Sequence, residues 1–71
     1  DEIKPMVAAL NRALAATMPG SALRLYATQA IGSYGQDAAE AIPFLEKVHT
    51  DPWWETRKAV ATALGRIGAP V

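Results

Sequence analysis

The chain has 71 residues, of which 51% are hydrophobic and 20% are charged, and its seven basic and seven acidic side chains balance to zero net charge. This length predicts one small domain with a thin margin of stability. Neutrality argues against a nucleic-acid or membrane-surface module, because such modules usually carry a basic excess. No apolar run reaches the roughly 18 residues of a membrane span, and cytoplasm is the default expectation for localisation.

Three further features of the composition bear on the class of protein. There is no cysteine, so disulfides, thiolate nucleophiles and cysteine-bound zinc are excluded, and the redox compartment stays open. Because the chain starts at Asp1 rather than Met and shows no signal peptide, we expect a processed or excised piece of a longer protein. Alanine dominates, which predicts helices that pack closely, since small side chains let backbones approach.

Two helices are predicted in the first half of the chain. The first is expected over 3–17, where apolar residues recur at helical spacing until Pro19-Gly20 ends the pattern. The second is expected over 22–33, with Ser21 as its N-cap because a serine oxygen can accept a hydrogen bond from the first turn.

The third helix is predicted over 38–49. Asp37 precedes it and Glu40 follows three residues on, which is the pattern of a capping box. Pro43 lies too deep for the first turn of a regular helix, so we expect a tight opening turn at 38–41 before the regular helix begins.

The fourth helix is predicted over 52–67. Asp51 is its expected N-cap, and Pro52 suits the first helical position, where its missing N–H costs little. Gly68 and Pro70 end the helix. No strand pattern occurs in the sequence, so the four segments predict an all-α chain.

The most informative feature is an internal repeat. A glycine in the last turn of a helix leaves room for a neighbouring helix to cross closely, and a second glycine permits the left-handed turn that follows. We therefore predict that the second and fourth helices are equivalent and lie side by side, while a weaker echo at a slightly longer spacing relates the first helix to the third. The repeated residues are Arg24, Ala30, Gly32 and Gly35, which recur in the same order and at the same spacing as Arg57, Ala63, Gly65 and Gly68.

The two arginines are expected to hold this stack in register. Asp51 and Arg57 form the obvious ion pair, because an arginine early in a helix can reach the carboxylate and carbonyls of the preceding turn. Arg24, by contrast, has no Asp in the turn that precedes its helix. A guanidinium serves several acceptors at once, so we predict that Arg24 and Arg57 lie stacked along the array.

The repeat resembles a known family. The segment 51–68 is similar to the first helix of a HEAT-like repeat, of the short bacterial type found in phycobilisome-lyase-like proteins, and 38–45 is similar to the opening of its second helix. The segment 23–35 departs from the pattern, since no Asp precedes its arginine. The turn of ankyrin repeats and the aromatic spacings of tetratricopeptide repeats are absent.

The resemblance implies an α-α superhelix, that is, a solenoid fragment of four antiparallel helices stacked with a right-handed sense. Apolar residues on the inner faces of the four helices form its predicted core. These residues are Met6, Leu10, Leu14, Leu23, Ala27, Ile31, Phe44, Leu45, Val48, Val60 and Leu64.

Few residues suggest chemistry. His49 is the only histidine, and Glu46 is its one carboxylate neighbour at helical spacing, so a histidine facing the carbonyls at a helix end is favoured over a metal ligand. Two Gly-x-x-Gly segments match the clamp of KH nucleic-acid domains, but that fold needs strands, which the chain lacks. No catalytic, metal-binding or cofactor-binding residue is assigned, and no enzyme activity is expected.

Trp53 and Trp54 are adjacent, and adjacent helical side chains point about 100° apart, so both cannot enter the core. We expect Trp53 to pack beneath the third helix. Trp54 is then exposed and is a candidate interface anchor, although two tryptophans closing the end of a small core is the alternative.

The expected function is a non-catalytic scaffold that binds a protein or peptide, with no nucleic acid or membrane as partner. Repeat arrays generally need about three units and polar caps, so we expect the open helical ends to pack on further repeats or on another copy. In the resembling family the second helices line the concave side, which implies partner contacts there, with a merely solvated face as the alternative. The implied contact residues are Lys4, Asn11, Arg12, Glu46, Lys47 and His49.

Two other functions follow from the resemblance. The likeness to lyases implies a chromophore-handling domain, in which a bilin would need the cations Lys4, Arg12 and Lys47 near its propionates. Some HEAT-like glycosylases bind the DNA backbone, and the zero net charge weighs against that alternative here.

Overall fold

A computed structural model of the protein describes residues 2–68. Over that range the chain is all-helical and contains no strand, so the predicted fold class is confirmed. Four α-helices and one 3-10 helix follow one another and pack together. They are α1 (Ile3–Ala15), α2 (Ala22–Gly32), the 3-10 helix (Gly35–Ala41), α3 (Ile42–Val48) and α4 (Trp54–Ile67).

Local hydrogen bonds explain where the first helices end and begin. Thr17 donates from Oγ1 to the carbonyl oxygen of Leu14 at 2.6 Å, and this local bond competes with a further helical turn, so α1 stops at Ala15. Ser21 caps α2 as predicted, since its side-chain oxygen accepts a hydrogen bond from the backbone N–H of Arg24 at 3.2 Å.

Two predicted caps were wrong. Asp37 makes no capping hydrogen bond, because the chain enters α3 directly from the 3-10 helix and leaves no free helix start there. Asp51 is not the N-cap of α4, since the helix begins at Trp54 and Trp53 is its cap. The predicted stop at Pro70 lies outside the described residues, and Gly68, with φ of +88°, closes α4 in the left-handed conformation.

The core lies where α2 and α4 pack along each other, with α1, the 3-10 helix and α3 closing it from the other side. Leu14, Ala27, Ile31, Leu45, Val48 and Val60 are buried as predicted, and Leu10, Phe44 and Leu64 pack against them partly buried. Met6 and Leu23 were predicted wrongly, because Val7 and Leu25 turn inward in their places. The buried apolar residues outside the predicted core are Val7, Leu25, Ala38, Ala41, Ala63 and Ile67.

The contact between α2 and α4 depends on the absence of a side chain at Gly32. A Cβ placed there would stand 3.0 Å from the Cβ and 3.2 Å from the Cα of Ala63. Gly65, its equivalent in α4, faces open space. The two repeated glycines therefore have different surroundings although their positions in the helices correspond.

This difference predicts opposite effects of one substitution. Gly65→Ala should raise the free energy of unfolding by about 0.5–1 kcal/mol, because alanine favours helix and meets nothing. Gly32→Ala should lower it by about 1–3 kcal/mol, since the added methyl group would stand closer to Ala63 than ordinary van der Waals contact allows. Urea unfolding of both variants measures the pair, and equal shifts for the two would contradict the packing described.

Candidate interaction faces around a buried ion pair

The carboxylate of Asp51 joins the helix pair α1–α2 to the helix pair α3–α4. Asp51 lies between α3 and α4 and is only 2% exposed. Its Oδ1 accepts hydrogen bonds from the backbone N–H of Gly20 and from Nη1 of Arg24, both at 2.9 Å. Its Oδ2 accepts from the backbone N–H of Trp53 at 2.9 Å. One side chain thus fixes the loop before α2, α2 itself and the start of α4.

Arg24 completes this arrangement with its other nitrogens. Nε donates to Oγ1 of Thr17 at 3.0 Å, and Nη2 donates to the carbonyl oxygen of Thr17 at 2.9 Å. The arginine side chain is largely buried and the Asp51 side chain wholly so. Because every charge-bearing group has a partner, the pair can be buried at tolerable cost, and it sets the register between α2 and α4.

Arg57 makes different contacts from those of Arg24. Its Nη1 donates to the carbonyl oxygens of Asp51 at 2.7 Å and of Pro52 at 2.9 Å, and the side chain is exposed. The predicted ion pair between Asp51 and Arg57 was therefore wrong. The carboxylate turns back toward the preceding helix pair, where Gly20 and Arg24 already occupy its oxygens.

The surroundings of Asp51 shift its pKa. Burial opposes ionisation, but hydrogen bonds from the amides of Gly20 and Trp53, together with the hydrogen bond and charge of Arg24, hold the pKa below its ordinary value. A carboxyl whose pKa is lower in the folded chain stabilises the fold above the ordinary pKa. That contribution is lost as pH falls through the folded-state pKa.

We therefore expect acid sensitivity that depends on this one carboxylate. The free energy of unfolding should fall as pH drops below about 4, the ordinary pKa of aspartate. Asp51→Asn should lose less stability over that interval than the native chain, because the amide cannot be protonated in the same way. Urea midpoints measured across the acid range check this, and parallel curves for the two chains would contradict it.

A matched pair of arginine variants separates the buried contact from the exposed one. Arg24→Gln leaves the Asp51 carboxylate without its counter-charge and should cost about 3–5 kcal/mol. Arg57→Gln removes a solvent-exposed group that binds only carbonyl oxygens and should cost no more than about 1 kcal/mol. Equal losses of unfolding free energy, measured by urea titration, would show that the ion pair does not set the register.

Five of the six side chains predicted to face a partner are exposed. Lys4 and Arg12 extend from α1, Glu46 and Lys47 from α3, and His49 follows α3. None of these charged groups forms an ion pair within residues 2–68.

Asn11 was assigned to this set wrongly, because it is buried on the inner side of α1. Its Oδ1 has no hydrogen-bond partner in the described part of the chain. Its helical spacing from Val7 and Leu14, which are also buried, was the available sequence signal. The residue type pointed the other way, since asparagine is mostly exposed in folded proteins.

The metal alternative for His49 finds no support in the described residues. Nδ1 of His49 lies within hydrogen-bond distance of the carbonyl oxygen of Glu46, which is the arrangement of a histidine at a helix end. Residues 2–68 contain no group of three or more His, Cys, Asp or Glu side chains that could hold a metal ion. Over the same residues, no helix has the length and apolarity needed to cross a membrane.

Trp54 is 58% exposed, whereas Trp53 is partly buried. The Nζ of Lys58 lies 5.9 Å from the centroid of the Trp54 ring, close enough for a cation–π contact. Both side chains line an open groove of about 470 Å³ between α2 and α4, which Gln29 and Arg66 also line. Sequence reasoning did not find this groove, because it arises from the spacing of two helices far apart in the chain.

Equivalent positions of α2 and α4 differ strongly in exposure. Leu23 is 63% exposed, whereas Thr56, its equivalent in the repeat, is 0% exposed. Tyr26 is 64% exposed, and its equivalent Ala59 is partly buried beside α2. We call Leu23 and Tyr26 the N-terminal face.

At the other end of the molecule the difference is reversed. Thr28 and Ile31 of α2 are wholly buried, whereas their equivalents in α4, Ala61 and Leu64, are exposed and partly exposed. Ala61 and Leu64 line a second open groove of about 370 Å³ between α3 and α4, together with Glu46, His49, Arg57 and Val60. The surface formed by Arg57, Ala61, Leu64 and Gly65 is called the C-terminal face.

Paired helices that stack in register, with equivalent residues at a fixed spacing, define a helical-repeat protein of the α-solenoid class. The sequence profile of HEAT repeats matches residues 7–71, and the chain belongs to the HEAT repeat family. The resemblance seen in the sequence is thus confirmed. Comparison with curated proteins and with solved structures gives no match. HEAT repeats serve in general as non-catalytic scaffold elements that mediate contacts between proteins.

Proposed function

We propose that this chain is a scaffold segment of a longer HEAT array, in which both the N-terminal and the C-terminal face are covered by neighbouring helices. The observation that carries the proposal is the exposure of Leu23 beside the complete burial of its equivalent, Thr56. The side chains at these repeat positions are buried or partly buried on α4, whereas their equivalents on α2, Leu23 and Tyr26, are exposed. A preceding helix that packs on α2 as α2 packs on α4 would bury them.

The energetics support cover at both ends. Burying a leucine side chain stabilises a protein by roughly 1.5–3 kcal/mol, which is a large part of the stability of so short a chain. Large exposed apolar side chains clustered on one surface are typical of an interface. In arrays of this kind each unit contacts only its neighbours, so an uncovered face loses the stabilisation that a neighbour provides.

The partner surface of the array would lie on the helices between these two faces. The exposed charges of α1 and α3 belong to the helices that the family places on the concave side, and they have no ion-pair partners within residues 2–68. Unpaired charges of both signs on adjacent helices suit a protein or peptide with a mixed charge pattern, because complementary charges give specificity. No reacting group is needed for such a role.

Removing the apolar side chains of the N-terminal face tests the proposal. The double variant Leu23→Ser with Tyr26→Ser should bind less of a hydrophobic dye than the native chain, as measured by fluorescence over a concentration series. Its free energy of unfolding should change by less than about 0.5 kcal/mol, since neither side chain is buried in the isolated chain.

Trp54→Ser is the matched control, because Trp54 is as exposed as Leu23 but lies outside both faces. It should lower dye binding less than the double variant does, because it removes no side chain of the N-terminal face. A native chain that binds no dye at its highest soluble concentration would argue that its ends need no cover. Equal effects of the control and the double variant would argue that the N-terminal face is not special.

A further inference from the structure

The groove that Trp54 and Lys58 line lies on the side of α2 and α4 turned away from α1 and α3. Every described residue that lines it belongs to α2 or α4. None of these residues belongs to the N-terminal face or to the C-terminal face. Neighbouring helices packed on those two faces would therefore leave this groove, called the outer groove, open to solvent.

The floor of the outer groove is apolar, and its edge on α4 carries an aromatic ring and polar side chains. Leu25 and Gly32 of α2 and Ala63 of α4 are buried on the floor. The edge residues are exposed and follow one another at intervals of four, so they form one row along α4. These residues, called the edge row, are Trp54, Lys58, Thr62 and Arg66.

The edge row is positively charged. Lys58 and Arg66 are exposed, and neither forms an ion pair within residues 2–68. Glu55, in the first turn of α4, is the one acidic residue among those that line the groove. Since the Nζ of Lys58 lies 5.9 Å from the centroid of the Trp54 ring, the row offers an aromatic surface with a cation beside it. A second cation follows about two helical turns further on.

The spacing of the edge row matches that of an extended peptide. Successive residues of the row are about 6 Å apart along α4, because each helical residue rises about 1.5 Å. Alternate side chains of an extended chain point to the same side and recur about every 6.6 Å. Lys58 and Arg66 are thus about 12 Å apart along the helix. Side chains four positions apart in an extended peptide are separated by roughly 13 Å.

We propose that the outer groove binds an extended acidic peptide segment of a partner protein. Two acidic side chains, four positions apart, pair with Lys58 and Arg66, because charged donors bind carboxylates more strongly than neutral acceptors. The apolar side chain midway between them faces the floor of the groove. Another apolar side chain, two positions before the first acidic one, packs on the exposed ring of Trp54, which is the residue type most often found as an interface anchor.

A single-stranded nucleic acid is the other polymer that combines negative charge with apolar rings, since bases stack on aromatic side chains. The charges favour the peptide. A nucleic-acid groove carries a basic excess that follows the phosphate backbone. This chain has zero net charge, Glu55 lies in the groove itself, and the edge row holds cations only at Lys58 and Arg66.

The probe is a short synthetic peptide with blocked ends, in which every second position holds leucine or aspartate in turn and serine fills the rest. The first control peptide has asparagine in place of each aspartate, so it differs only in charge. The second has the same composition, with the aspartates next to each other, so it differs only in spacing. Each peptide, and a single-stranded DNA oligonucleotide of similar length, is titrated into isotopically labelled chain and followed by nuclear magnetic resonance.

The acidic peptide should bind roughly tenfold more tightly than either control peptide, since each exposed ion pair contributes only modestly. Its binding should shift the signals of the Trp54 indole N–H and the Thr62 amide. The advantage over the asparagine peptide should shrink at high salt, because salt screens exposed ion pairs.

Two double variants locate the binding. Lys58→Gln with Arg66→Gln should remove the advantage of the acidic peptide, and circular dichroism verifies that this variant is folded. Lys4→Gln with Arg12→Gln removes the same two residue types at the same spacing from α1. That variant should keep the advantage, because α1 does not line the outer groove.

Equal affinity of the acidic peptide and either control peptide would overturn the inference, as would failure of the acidic peptide to bind. Equal losses in the two double variants would overturn it too, because the peptide would then respond to net charge alone. Tighter binding of the oligonucleotide would replace the peptide with a nucleic acid. The proposed function is decided separately by the variants of Leu23 and Tyr26, which do not line the outer groove.

Discussion

The structure depends on the carboxylate of Asp51, which lies buried between the helix pairs. Its oxygens accept hydrogen bonds from the amides of Gly20 and Trp53 and from the guanidinium of Arg24, so both helix pairs provide donors to it. A buried ion pair contributes little net stability once its dehydration is counted. Its value lies in register, because a shifted helix would leave a buried charge without a partner.

The rest of the packing follows from that register. With Arg24 fixed against Asp51, α2 and α4 run along each other so that Gly32 meets Ala63 and Ile31 is buried. Small residues at the crossing allow the backbones to approach, and the apolar residues beside them fill the remaining space. The charge fixes which residues face each other, and the apolar contacts supply the stabilisation.

The repeat predicted much of the fold, because its period depends on backbone needs that a sequence displays, such as the left-handed glycines Gly35 and Gly68. It failed where the outcome depends on the neighbouring unit. Sequence distance suggested that Asp51 binds Arg57, yet the carboxylate turns back to Arg24, which is remote in sequence and close in space. Leu23 has the helical spacing of a core residue, and only the position of α4 shows that its side of α2 is uncovered.

The contact between the two helix pairs has a direction. Asp51 of the second pair reaches back to Arg24 of the first, so the carboxylate lies on one side of the contact and the guanidinium on the other. Met18 stands at the repeat position of Asp51 in the first pair, while Arg57 stands at that of Arg24 in the second. The two ends are consequently not interchangeable, although the helices that form them are equivalent. Open-ended stacking of identical copies requires each end to fit the other, and the two ends of this chain do not repeat the contact found between its helix pairs.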